Sequence, residues 1–158
     1  IDLQSDASGL FDDDRAGFTI ADSSNDSANI FGVQLDPRAD GTGVNIEGYW
    51  DGPTVIDLRP SIVDLTGLTR PNTWYRLRAV FTKLTEGSTR IDASLAELDG
   101  ACRPVALLGS GTIADTSLLV ADVPNGRYFA APTLWPVFKN FGPAAGAADN
   151  AAVERLVP

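Results

Sequence analysis

The sequence has no histidine, no methionine, one cysteine, two lysines and four glutamates. Each shortage closes off some chemistry. Without histidine there is no Ser-His-Asp or Cys-His machinery, no His-ligated zinc, and none of the commonest general base. Cys102 stands alone, so an intrachain disulfide is ruled out. It is expected to be buried as a small hydrophobe, the alternative being a bridge between two chains. No apolar run approaches the roughly 18 residues of a membrane-spanning helix, so membrane insertion is not expected. Helical periodicity is also missing. No stretch keeps apolar positions at i, i+3, i+4 and i+7 without Gly or Pro intruding. The Ala-rich segment 144–152 comes nearest, but Gly146 and Asn150 make it read as a loop or a single turn. The chain starts at Ile1 with no signal peptide and is expected to be a processed chain or a piece of a longer one.

What remains is short strands. The 158 residues, 44% of them hydrophobic, fit one globular domain over 1–158 with a core that needs no staples. Alternating runs bounded by Gly, Pro, Asn and Asp predict strands near 18–21, 28–35, 43–50, 54–58, 73–83, 89–98, 104–109, 117–121, 134–141 and 151–157. That pattern predicts an all-β fold: two antiparallel sheets packed as a sandwich of jelly-roll type. Gly109-Ser110-Gly111 and Gly100–Pro104 read as turns.

Alternation also sets two hairpin registers. Pairing Phe81 with Ile91, Ala79 with Ala93 and Leu77 with Leu95 places every apolar residue of 73–83 and 89–98 on one side. Arg76, Arg78, Thr82, Asp92 and Ser94 then share the other. In the second hairpin, Leu35 is set against Val44 and Val33 against Ile46, with Phe31 beside Gly48. Gln34, Asn45, Glu47 and Tyr49 occupy its polar side. The expected core is therefore Phe31, Val33, Val44, Ile46, Leu77, Phe81, Ile91 and Leu95.

The charge is lopsided. Residues 1–69 hold 13 acids against Arg15, Arg38 and Arg59, a net of −10; residues 70–158 have a net of +1. An acidic surface repels phosphate backbones and argues against nucleic acid as a partner. Asp outnumbers Glu by 17 to 4. Solubility explains most of that excess, and Ca²⁺ is the candidate cofactor, because Asp is a short, hard oxygen ligand. The preferred metal segment is Asp12-Asp13-Asp14, whose default is a solvated acidic loop. The stretch from Asp36 to Glu47 matches an EF-hand loop at positions 1, 5, 6 and 12, but Arg38 sits at position 3 and a hairpin explains Pro37 and Gly41 equally well.

Glycoside cleavage needs only two carboxylates, about 5–10 Å apart. None of Glu47, Glu86, Glu97 and Glu154 shares a strand face at i, i+2 spacing with another. The chain is expected to be non-catalytic, a glycan hydrolase or lyase being the enzymatic class left open. The pairs Tyr49–Trp50 and Trp74–Tyr75 each turn one ring inward and one outward. Core and rim packing accounts for them, and an outward ring can also serve as a platform for a sugar.

The segments NTWYRLRAVFT from Asn72 and TRIDASL from Thr89 resemble the Trp-led central hairpin of concanavalin A-like domains of the laminin-G type. IFGVQL from Ile30 with GVNIE from Gly43 is similar to the preceding hairpin there. DNAAVERL from Asp149 resembles the last strand, which returns to pair near the N-terminus. The resemblance implies a jelly roll and an extracellular or cell-surface module binding glycans or proteins. The closely spaced acidic strand motif and the His of the family's enzymes are missing, as is a legume-lectin metal motif. The expected function is thus non-catalytic recognition, of carbohydrate or in adhesion. Its site is the polar sheet face of Gln34, Asn45, Glu47, Tyr49, Arg76, Arg78 and Asp92. The alternative is a self-assembling subunit of a surface layer, filament or virion.

Overall fold

A computed structural model describes residues 1–5, 16–21, 30–37, 43–51, 61–66, 70–85, 88–113, 135–140 and 147–149. They form ten strands: β1 (Asp2–Gln4), β2 (Ala16–Ala21), β3 (Ile30–Pro37), β4 (Gly43–Asp51), β5 (Ser61–Thr66), β6 (Trp74–Thr85), β7 (Ser88–Leu98), β8 (Pro104–Ile113), β9 (Trp135–Asn140) and β10 (Ala147–Asp149). Sheet I has the order β10-β1-β6-β7-β8 and sheet II the order β5-β4-β3-β2-β9, with every pairing antiparallel. Among the described residues there is no helix, and none long and apolar enough to cross a membrane. The protein is an all-β sandwich of two antiparallel sheets.

Its core lies between the sheets. Leu3, Tyr75, Leu77, Ile91, Ala93 and Leu95 of sheet I close on Ala16, Val33, Leu35, Val44, Ile46 and Leu65 of sheet II. Phe81 is only partly buried at the margin of this cluster, and the side chain of Phe31 lies outside the described set.

The β6–β7 register agrees with the alternation: Phe81 opposes Ile91, Ala79 opposes Ala93 and Leu77 opposes Leu95. The β3–β4 register does not. Leu35 opposes Ile46, Val33 opposes Gly48 and Phe31 opposes Trp50, two residues away from the expected pairing. A two-residue slip leaves every side chain on its expected face, so alternation cannot detect it. What decides it is the ladder's continuation through Asp36↔Asn45 and Pro37↔Val44, which shortens the connecting loop.

Three other segments differ from expectation. Residues 147–149 of the Ala-rich stretch form β10 and pair with β1, where small side chains suit a three-residue edge strand. Gly109-Ser110-Gly111 is interior to β8 rather than a turn. The reason is close packing against β5. A Cβ on Gly111 would sit 2.5 Å from the Ile62 carbonyl oxygen, and one on Gly109 would collide with the Leu65 side chain. Cys102 is exposed, not buried. It occupies the Gly100–Pro104 connection in a left-handed conformation (φ 58°), with its N–H donating to the Asp99 carbonyl at 3.0 Å. The expected strands at 54–58, 117–121 and 151–157 lie outside the described residues. β1 and β5 were not anticipated.

The rim where β1 enters sheet I is fixed by polar contacts. The Ser5 N–H donates to the Thr73 carbonyl at 3.0 Å and its hydroxyl to the Arg70 carbonyl at 2.5 Å. The buried Tyr75 ring carries its hydroxyl out to the same turn, where it accepts from the Arg70 N–H at 2.5 Å.

The β5–β8 approach generates a prediction. Gly111→Ala forces one backbone away from another and destabilises the fold by about 1–3 kcal/mol. Gly100→Ala is the control: a Cβ there meets nothing within 4 Å, and stability changes by no more than about 0.5 kcal/mol. Urea denaturation of the two variants beside the parent tests the contrast.

Candidate functional site

Side chains alternating with the core residues point away from it, so each sheet has an outward face. The two faces look in opposite directions. Gln34, Asn45, Glu47 and Tyr49 belong to sheet II, whereas Arg76, Arg78 and Asp92 belong to sheet I. The structure therefore does not bring the seven expected binding residues into one surface.

Three of the four sheet II residues are also closed to solvent. Gln34 is 1% exposed, and Glu47 and Tyr49 are each 4% exposed. Gln34 and Glu47 are cross-strand partners, and the Gln34 Nε2 donates to the Glu47 Oε1 at 2.5 Å. The opposite end of that amide, Gln34 Oε1, is buried without a hydrogen-bond partner. Rotating the amide would aim its oxygen at the carboxylate, so the orientation is fixed. Asn45, nearer the edge, accepts from the Ser61 hydroxyl at 2.8 Å. Gln34 and Glu47 thus form a buried polar contact, while the Asn45–Ser61 bond lies at the exposed edge. A glycan could not reach Tyr49 without uncovering it.

Sheet I is open. Its outward residues form rows across the strands. Trp74 stands beside Gln4, and Arg76 lies between Asp2 and Ala96, with Leu107 beyond. Next come Arg78-Ser94-Ser110 and then Val80-Asp92-Thr112. Rows are about 6.6 Å apart along the strands and neighbouring strands about 4.8 Å apart. Trp74 is half-buried while Tyr75 is fully buried, as opposite faces require. Arg78, Ser110 and Thr112 are exposed.

Ion pairs order this face. Arg76 grips the 1%-exposed Asp2 with two parallel bonds, Nε–Oδ1 at 2.7 Å and Nη2–Oδ2 at 2.9 Å, and also donates to the Cys102 carbonyl. That bidentate bond raises the Arg76 pKa. Asp92 accepts from the Thr112 hydroxyl at 2.7 Å and from Arg90 Nε at 2.8 Å. The Thr112 bond is the larger cause holding its carboxyl below the ordinary range. Asp92 thus turns to Arg90 and Thr112, and Arg78, whose cross-strand neighbour is Ser94, is not its partner. Asp99 is likewise depressed, chiefly by the Arg103 guanidinium.

Ser94 was placed on this polar side by alternation but not among the expected binding residues, and Ser110 and Thr112 were not singled out from the sequence. Ser110 and Thr112 could not be placed on a sheet while 109–111 read as a turn, and a register carried through to β8 would have found them. Asp12, Asp13 and Asp14 lie outside the described residues. Among the described residues no group of three or more metal-ligating side chains is assembled. In the EF-hand-like match Glu47 is buried and accepts from the Gln34 amide, and Arg38, Asp40 and Gly41 lie outside the described residues.

No family model, curated protein or solved structure matches the chain.

The Asp92 environment predicts a pH dependence. A carboxyl depressed on folding contributes stability that is complete above its unfolded value of about 3.9 and is lost as pH falls through the lower folded value. Thr112→Val should move the Asp92 titration up towards about 3.9 and leave Asp99 where it was. Carboxyl ¹³C NMR titration of both residues checks this. An unmoved Asp92 would show that the Thr112 hydroxyl is not the cause.

Proposed function

We propose that the protein is a non-catalytic carbohydrate-recognition module of an extracellular or surface setting, and that it binds through the outward face of sheet I. The observation that carries this reading is the contrast between the two faces. The outward face of sheet II is closed at Gln34, Glu47 and Tyr49, whereas that of sheet I presents exposed hydroxyls, a guanidinium and the half-exposed Trp74 ring in regular rows. Planar donors and acceptors suit sugar hydroxyls, and an indole suits the apolar C–H face of a pyranose. The strand order is compatible with the jelly roll of concanavalin A-like domains, a fold that by itself selects no function.

A second reading has its own observation. Val105 and Leu107 are 59% and 67% exposed on β8, an edge strand of sheet I without a charged residue. Uncharged edges invite pairing with another strand, which favours the self-assembling subunit. Bulges in the β7–β8 ladder and Pro104 at its start work against it.

A glycan array probed with and without Ca²⁺ tests the first reading. For a glycan that binds, Trp74→Ala weakens affinity about tenfold, as expected for loss of one stacked ring, and Tyr49→Phe leaves it unchanged. Silence across the array, with concentration-dependent oligomers in sedimentation that Leu107→Lys abolishes, would replace recognition with assembly.

A further inference from the structure

Five arginines lie in β6, β7 and their flanking turns: Arg70, Arg76, Arg78, Arg90 and Arg103. Four are matched one to one with carboxylates. Arg70 pairs with Glu97 at 3.2 Å, Arg76 with Asp2 at 2.7 Å, Arg90 with Asp92 at 2.8 Å and Arg103 with Asp99 at 2.7 Å. Arg78 is left over. It is exposed and has neither an ion-pair nor a hydrogen-bond partner among the described residues. Its place is not peripheral: β6 is the middle strand of sheet I, and Arg78 stands in the row Arg78-Ser94-Ser110. The neighbouring acid, Asp92, is engaged by the Thr112 hydroxyl and by Arg90 and makes no ion pair with Arg78.

We infer that the ligand of this face is an acidic glycan, one whose sugar carboxylate docks on Arg78 while its hydroxyls meet Ser94 and Ser110. This rests on the carbohydrate reading of sheet I. A guanidinium offers two parallel N–H groups that match the two oxygens of a carboxylate, giving both charge and direction. Hydroxyls two positions across the same row supply donors and acceptors for the rest of the ring. Trp74 lies four residues along β6, about 13 Å away. One ring cannot touch both, so the ligand is an oligosaccharide running along β6. The whole chain carries a net charge of −9, which opposes a polyanion at long range. Recognition of a carboxylate must then come from a local guanidinium free of its own counter-charge, and among the described arginines Arg78 meets that condition.

Calorimetry with oligogalacturonate and oligomannuronate tetrasaccharides, each beside its carboxyl-reduced neutral counterpart, tests the inference. The parent protein should bind one of the uronates about tenfold more tightly than its reduced form, the gain expected of one charge-assisted bidentate contact. Arg78→Gln should bring the two affinities within about twofold of each other while leaving the neutral oligomer's affinity unchanged. Arg78→Lys, which keeps the charge and loses the fork, should fall between. The Arg78 side chain is exposed and makes no ion pair or hydrogen bond with another described residue, so its variants should fold, which circular dichroism checks. Equal binding of uronate and reduced oligomer by the parent overturns the acidic-glycan inference and leaves the carbohydrate reading standing. A preference that survives Arg78→Gln overturns the assignment to Arg78. Stronger binding of a sulfated oligosaccharide, lost in Arg78→Gln, overturns the carboxylate class. No binding of any oligosaccharide, neutral or charged, overturns both readings together.

Discussion

The β6–β7 ladder is the contact on which the rest of this sandwich depends. It is the longest pairing among the described residues, running from Tyr75↔Glu97 to Thr85↔Ser88. Its strict alternation divides the sheet into two chemically different sides. On one side Leu77, Ile91 and Leu95 are fully buried, each worth about 1.5–3 kcal/mol relative to exposure. On the other are the arginines and hydroxyls. β1 docks on the free edge of β6 by the Asp2–Arg76 pair and the Ser5 contacts, and β8 docks on β7. Slipping this ladder by one residue would send Arg78 into the core and Leu77 into water. The buried charge would cost far more than the hydrogen bonds could return.

Opposite demands are met by sheet II. Its inward residues Val33, Leu35, Val44 and Ile46 complete the core. Its outward Gln34–Glu47 pair is buried as well, so both sides of β3 and β4 are closed to solvent at this point. Burying a carboxylate is costly unless donors reach it, and the Gln34 amide supplies one. The uncompensated Gln34 Oε1 offsets part of that gain, by about 1–3 kcal/mol. Polar pairs of this kind stabilise weakly and discriminate well, because a shifted β3–β4 register would separate the amide from the carboxylate. The two-residue slip that alternation allows is the register this pair rejects. Set against Asn45 or Tyr49, Gln34 would face no carboxylate.

This explains what could be read from the residues and what could not. The fold class, the β6–β7 register and the inward residues were legible because they depend on period-two alternation, which the chain shows over long runs. The β3–β4 register was not, because alternation is blind to shifts of two. β5 escaped notice because Ile62 and Val63 are adjacent apolar residues, which break the pattern, and the β4–β5 ladder is irregular at this level, between Ile46 and Glu47. Glycine misled most directly. In Gly109-Ser110-Gly111 the sequence offers a turn, whereas the strand needs those glycines for the close approach of β5. Half of the expected site, Arg76, Arg78 and Asp92, stands on an open face. The other half failed on a quantity that no strand pattern contains, namely what lies over the polar side of a sheet.

The two faces also bear on why a chain so rich in acid should present arginines at all. In β6, β7 and their turns each ion pair joins residues already held close by the sheet or a tight turn: Arg90 and Asp92 are two apart on β7, and Arg103 and Asp99 span a four-residue turn. Exposed pairs of this sort add little to stability, typically below about 1 kcal/mol each. Their effect is on the local field. By consuming Asp2, Asp92, Glu97 and Asp99, they leave the outward side of sheet I nearly neutral within a strongly negative molecule. A neutral face tolerates a ligand of either charge, and the one guanidinium unmatched among the described residues, that of Arg78, then sets the sign. Were Asp92 released from Thr112 and Arg90, its carboxylate would stand one row from Arg78 and could take the place of an anionic ligand. The hydroxyl of Thr112 therefore acts beyond its own hydrogen bond, by keeping the nearest competitor for Arg78 occupied.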